Sequence, residues 1–127
     1  MEVSKIKLHT ALTCGMNDSI SELAKKMKDK KERRIFVLDE KGKIKGIITT
    51  TDLVYKVLPG SKTNLKASEV MTENVQHVDI SKNIEDALTI MNALKTFTCP
   101  ISDKGKLLGV ISYYDLVGHV VKRVGGD

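Results

Sequence analysis

Aromatic residues make up only 4% of this 127-residue chain: two phenylalanines, three tyrosines and no tryptophan. So small a supply makes a base-stacking platform for single-stranded nucleic acid hard to assemble. Arginine is scarce as well. Arg33, Arg34 and Arg123 are the only three, so the net charge of +5 and pI near 9.2 come mostly from lysine. That balance suits a solvated basic surface better than a set of dedicated phosphate forks. The two cysteines, Cys14 and Cys99, lie far apart without metal-ligand spacing, and His9, His77 and His119 are scattered. These cysteines read as small buried core residues, and no metal site is expected. No apolar run approaches the roughly 18 residues that a membrane-spanning helix needs. The opening Met1-Glu2-Val3-Ser4-Lys5 lacks the basic-then-apolar profile of a secretory signal. A cytoplasmic protein with no membrane association is the expectation.

What the chain does contain is an internal duplication. Gly46-Ile47-Ile48-Thr49-Thr50-Thr51-Asp52-Leu53-Val54 returns 63 positions later as Gly109-Val110-Ile111-Ser112-Tyr113-Tyr114-Asp115-Leu116-Val117. Upstream the offset becomes 64: Ile20, Leu23, Ala24 and Met27 align with Ile84, Ala87, Leu88 and Met91. The register changes inside the turn that follows Asp39 or Asp103, where a one-residue deletion is well tolerated.

Each copy predicts the same order of elements. Ala11 to Cys14 and Val75 to Val78 are short strand candidates. Ser19-Ile20-Ser21-Glu22 and Asn83-Ile84-Glu85-Asp86 set a capping residue three before an acid. Apolar residues at helical spacing follow. A strand at Ile35 to Leu38, or Cys99 to Ser102, turns through a glycine into a second. That one carries Ile44, Ile47 and Ile48, or Leu107, Val110 and Ile111. A last helix starts near Asp52 or Asp115, and the first of these stops at Pro59-Gly60. The expected class is α/β (α+β), with two β-α-β-β-α repeats at 4–58 and 67–122 joined by a polar linker at 59–66. A unit of about 60 residues is marginal alone, so the repeats are expected to pack with approximate two-fold symmetry.

The residues that carry chemistry are Thr49-x-x-Asp52 and its twin Ser112-x-x-Asp115. Such a pair can be a capping box, which only supports its own helix. The same geometry can anchor a ligand. The carboxylate accepts from a ribose diol, and a helix N-terminus suits phosphate. The glycine three residues earlier would let the ligand approach the backbone closely. The basic run Lys25, Lys26, Lys28, Lys30, Lys31, Arg33 and Arg34 points to nucleic acid as a rival partner. Most of it faces away from the apolar stripe, which reads as a solvated helix face.

Over residues 4 to 122 the chain resembles the cystathionine-β-synthase (CBS) repeat family. The repeat-ending pattern Gly-φ-φ-[Ser/Thr]-x-x-Asp occurs twice in register, and Val70-Met71-Thr72 and Pro100 match the family in the second copy. The first copy departs from it, with Lys7-Leu8 in the place of Met-Thr and Phe36 where proline is usual. The resemblance implies a regulatory, non-catalytic module that requires no cofactor. It implies a cleft between repeats that holds an adenosyl ligand such as AMP, ADP, ATP or S-adenosylmethionine. Carried over residue by residue, it groups Thr49 and Asp52 with backbone near Val75, Gln76, Thr98 and Cys99. It groups Ser112 and Asp115 with Leu12, Arg34 and Ile35. Arg34 fills a basic place that meets phosphate in the family, and Thr98 replaces it in the second copy. Tyr113 and Tyr114 would stack on the base or close the pocket. A homodimer is expected, because Val54, Val57, Val117 and Val121 would otherwise stay partly exposed, and a separate regulated effector protein is a further partner. The alternatives are a nucleic-acid-binding module, or a purely protein-interacting one with degenerate nucleotide sites.

Overall fold

The computed structural model describes residues 1–124, with side chains described through Val121. It contains two compact units that cut across the sequence repeats: Ala11–Val75, and Met1–Thr10 together with Gln76–Asp127.

In the first unit β1 (Thr13–Gly15) runs parallel to β2 (Arg34–Leu38), which pairs antiparallel with β3 (Ile44–Thr49). Helix α1 (Ile20–Lys30) starts where Ser19 Oγ accepts from the Glu22 amide at 3.3 Å. Its stripe of Ile20, Leu23 and Met27 is buried with Ile35, Val37 and Ile48 of the sheet. The turn from β2 to β3 uses Gly42 at φ 82°, a left-handed conformation that glycine adopts without Cβ strain. The last helix is not a plain α-helix. One α-turn, α2 (Thr50–Asp52), runs into a π-helical stretch over Leu53–Val57, and the chain then turns at Gly60. Val57 is 5% exposed, so its expected exposure is corrected: it faces the core with Ile20 and Leu23. Val54 is 52% exposed, as expected.

The stretch expected to be a polar linker is pinned down. The amides of Ile20 and Ser21 donate to the carbonyls of Leu65 and Thr63, at 2.9 and 3.1 Å. A short helix absent from the sequence expectation follows, α3 (Ala67–Val70), which buries Ala67 and Val70. Thr72 then pairs with Ile47 on β3.

The second unit repeats this plan with β4 (Val78–Asp79), α4 (Ile84–Leu94), β5 (Thr98–Asp103), β6 (Lys106–Ser112) and α5 (Tyr113–Val124). Its sheet has the order β4-β5-β6, parallel then antiparallel. Ile84, Ala87 and Met91 of α4 share a core with Cys99, Ile101, Ile111 and Leu116. Both hairpins carry an irregularity at matching places, Val37/Leu38 and Ile101/Ser102, and the second turns through Gly105 at φ 86°. The short strands β1 and β4 begin later than the sequence suggested, at Thr13 and Val78.

The chain's first ten residues belong to this second unit. Val3 and Ile6 enter its core, and the Val3 amide donates to the Lys82 carbonyl at 2.8 Å. His9 then exchanges two backbone hydrogen bonds with Val110 on β6, at 2.8 and 2.9 Å. Each unit therefore has a leader that adds one short helical turn and one bridge to its last strand. This corrects the alignment of the leaders. Leu8-His9, and not Lys7-Leu8, stands where Met71-Thr72 stands in the other unit.

Candidate functional site

In both units the acid of interest sits at the start of the last helix, directly after the last strand. Glycine three residues before the hydroxyl partner, Gly46 before Thr49 and Gly109 before Ser112, makes the approach of the leader possible. A Cβ at Gly109 would lie 2.7 Å from the His9 carbonyl oxygen, and one at Gly46 would lie 2.6 to 2.8 Å from three atoms of the Met71 side chain. The expectation that this glycine makes room for a ligand is thereby corrected. The room is taken by the chain's own leader.

Asp52 closes a capping box. Its Oδ2 accepts from the Thr49 amide at 2.9 Å and from the Thr49 hydroxyl at 3.2 Å, and its own amide donates to Thr49 Oγ1 at 3.3 Å. Its Oδ1 lies 3.2 Å from Lys56 Nζ, one turn along, and Lys56 also donates to the Val70 carbonyl at 3.0 Å. Asp52 is thus engaged on both carboxylate oxygens by groups of its own unit.

Asp115 has different company. Its amide donates to Ser112 Oγ at 3.1 Å, which reproduces one half of the cap. Its Oδ2 accepts from His9 Nε2 at 2.7 Å, a contact across 106 residues of sequence. The hydrogen bond from His9, then that from Ser112, holds the Asp115 carboxyl below its ordinary range, with charge from His9 and Lys7 adding to the effect. The carboxylate is therefore ionised at neutral pH and ready to accept hydroxyl donors. The His9 and Asp115 side chains are 47% and 38% exposed, so solvent reaches both.

The other expected residues fall within the two units as follows. Arg34 lies opposite Thr49 across the β2–β3 ladder, Ile35 lies opposite Ile48, and the Leu12 carbonyl accepts from the Phe36 amide at 2.9 Å. Leu12, Arg34 and Ile35 thus lie in the same unit as Thr49 and Asp52, with Arg34 directly opposite Thr49. Thr98 lies opposite Ser112, and Cys99 opposite Ile111 in the second core. Gln76, exposed, begins the second segment of the same unit. Each unit by itself brings together an acid, its hydroxyl partner and the facing strand residue.

Both cysteines are buried, and burial pushes their thiols up, Cys14 to about 12 and Cys99 to about 11. Ser102, a buried polar side chain, is paired with His77 Nδ1 at 2.7 Å. Tyr113 packs on the core of its unit and meets Phe97 edge-on at 6.2 Å, while Tyr114 is 77% exposed. His9 is the residue that motif reasoning missed. The signal for it was the 63-residue offset, which sets His9 against Thr72 and so beside the last strand of the second unit.

The CBS domain family model matches residues 3–59 and again 67–122. The chain belongs to the CBS domain family. Among curated relatives, the uncharacterized protein YlbB of Bacillus subtilis is 32% identical over 105 residues, covering 81% of this chain and 71% of its own length. Among solved structures, the CBS domain pair of protein MJ0100, in complex with 5′-methylthioadenosine and S-adenosyl-L-methionine, is 25% identical with a TM-score of 0.73. That match covers 97% of this chain and 98% of the other. Hypoxic Response Protein I shares the CBS-pair fold at a TM-score of 0.80 and 17% identity, covering 94% of this chain and 98% of its own. No helix among the described residues is long and apolar enough to cross a membrane.

Proposed function

We propose that this CBS pair is a regulatory, non-catalytic module that senses an adenosyl compound, either an adenine nucleotide or S-adenosylmethionine. The observation that carries the reading is Asp115. It is an ionised, solvent-reached carboxylate at the head of α5, set beside Ser112, which itself lies opposite Thr98 on the neighbouring strand. A carboxylate so placed can accept from both hydroxyls of a ribose, and each charge-assisted bond of that kind is worth roughly 1.5–3 kcal/mol.

The MJ0100 pair supports the same class of ligand. Its two named ligands share an adenine and a ribose and differ beyond the 5′ position. An anchor that reads the ribose serves both. Asp52 is the weaker anchor, because a ligand there would have to displace the capping box and Lys56 together.

The test is a thermal-shift screen with AMP, ADP, ATP, S-adenosylmethionine and GTP. Ligand at 100 times its dissociation constant adds about 2.7 kcal/mol of stability, which is an easily measured shift. Adenosyl compounds should bind about tenfold or more tighter than GTP, since a mismatched polar edge in a buried slot costs roughly 1–3 kcal/mol. If no adenosyl compound raises the melting temperature, the reading fails. Steeply salt-dependent binding of DNA or RNA would put the lysine-rich surface of α1 in its place.

A further inference from the structure

Building on the adenosyl reading, we propose that His9 is an internal competitor for Asp115, so that the leader gates the ligand site of its own unit. The contact is specific to this half of the molecule. In the other unit the corresponding residue is Thr72, and Asp52 takes its cation from Lys56 on its own helix. An imidazole on the acid is therefore no requirement of the repeat.

The leader's backbone is fixed on both sides of the contact. Val3 and Ile6 are buried behind it, and the His9–Val110 bridge holds it against Gly109. The His9 side chain, about half exposed, can rotate into solvent with that backbone in place. The competition is a matter of space at the carboxylate. A ribose diol that grips both carboxylate oxygens has to come alongside Oδ2, where the His9 ring already sits with Nε2 at 2.7 Å. Ligand must therefore wait for the fraction of molecules in which His9 has swung away, and its apparent affinity falls by that fraction. Lys7, on the same leader, adds positive charge near the carboxylate and biases the leader toward it.

The probe is adenosine, which carries the base and the ribose diol with no phosphate to interact with His9 or Lys7. Calorimetric titration of the whole chain should show His9→Ala binding adenosine about three- to tenfold tighter than the parent. In the parent, the ring resonances of His9 should shift on saturation as the imidazole leaves Asp115. This second readout needs no variant, so it stands even if His9→Ala folds poorly. Unchanged or weaker binding by His9→Ala, or a His9 signal that stays put at saturation, would overturn the gate. Asp115→Asn separates the two proposals: if it loses adenosine affinity while His9→Ala gains none, the ligand reading survives and the gate does not. Adenosine binding that ignores Asp115→Asn would remove the anchor itself, and the gate with it.

Discussion

Replacing Gly109 with alanine should destabilise the chain by about 2–4 kcal/mol, through a clash with its own leader. The new Cβ would sit 2.7 Å from the His9 carbonyl oxygen and 3.3 Å from Leu8 Cβ. Gly109 has no left-handed φ, so the cost is one of space alone. A backbone oxygen cannot rotate aside as a side chain does. Either the leader shifts or its bridge breaks. Overpacking of this kind costs typically about 1–3 kcal/mol. Losing the two His9–Val110 backbone bonds adds about 1 kcal/mol each at most. Full release of the leader would also expose Val3 and Ile6 at about 1.5–3 kcal/mol apiece, so a local shift is the cheaper response. Two further alanines frame the result. Gly46→Ala should cost a comparable amount, because Met71 Sδ can turn away but Met71 Cβ, 2.8 Å from the new Cβ, moves only with its backbone. Gly118→Ala, with nothing within 4 Å of its Cβ in α5, should stabilise by about 0.5–1 kcal/mol through helix propensity. Urea denaturation monitored by circular dichroism gives all three. A Gly109→Ala midpoint equal to the parent's would show that the leader is not seated on β6 as described.

Three further outcomes are expected. Asp79 accepts from the Ser81 amide, the Ser81 hydroxyl and the Lys104 amide, and these bonds pull its carboxyl down to about 2. Its folded pKa lies below the unfolded value, so its contribution is complete above the ordinary carboxylate range and is lost as pH falls toward 2. The parent's urea midpoint should therefore drop more between pH 5 and 2 than that of Asp79→Asn, and parallel curves would refute this. Cys14 and Cys99, pushed up to about 12 and about 11 by burial, should stay unreacted with a thiol reagent at pH 8 until the chain is unfolded; rapid labelling of the native protein would contradict their burial. We also propose a homodimer that covers exposed apolar groups such as Val54, Tyr55 and Leu58, or Val120 and Val121. Light scattering should give twice 14.1 kDa, and a monomer mass at micromolar concentration would count against it.

Much of the fold could be read from periodicity. The stripes Ile20-Leu23-Met27 and Ile84-Ala87-Met91 repeat at helical spacing because one face of each helix packs on a sheet, and both proved buried. The hairpins were legible because Gly42 and Gly105 supply left-handed turns between apolar runs. The leaders were not. Val3 and Ile6 form no periodic run, and the buried residues they join begin at Val78, far downstream, so no local pattern links them. The π-helical stretch at Leu53–Val57 was equally hidden, since an α-helix and a π-helix share the same residue preferences. At the site, both Ser/Thr-x-x-Asp pairs were legible as helix starts. What separated them, Lys56 on Asp52 and His9 on Asp115, arises from which side chain the fold brings to each acid.

The most direct measurement of the central claim is calorimetric titration of S-adenosylmethionine and AMP into the parent, Asp52→Asn and Asp115→Asn, with the melting temperature of each free protein taken alongside. A ribose anchor at Asp115 predicts that Asp115→Asn loses about tenfold or more in affinity, from charge-assisted bonds worth roughly 1.5–3 kcal/mol, with little change in melting temperature. Asp52→Asn should instead lose stability through its capping box while binding nearly as the parent does. Parent-like affinity in Asp115→Asn, for either ligand, would contradict the account.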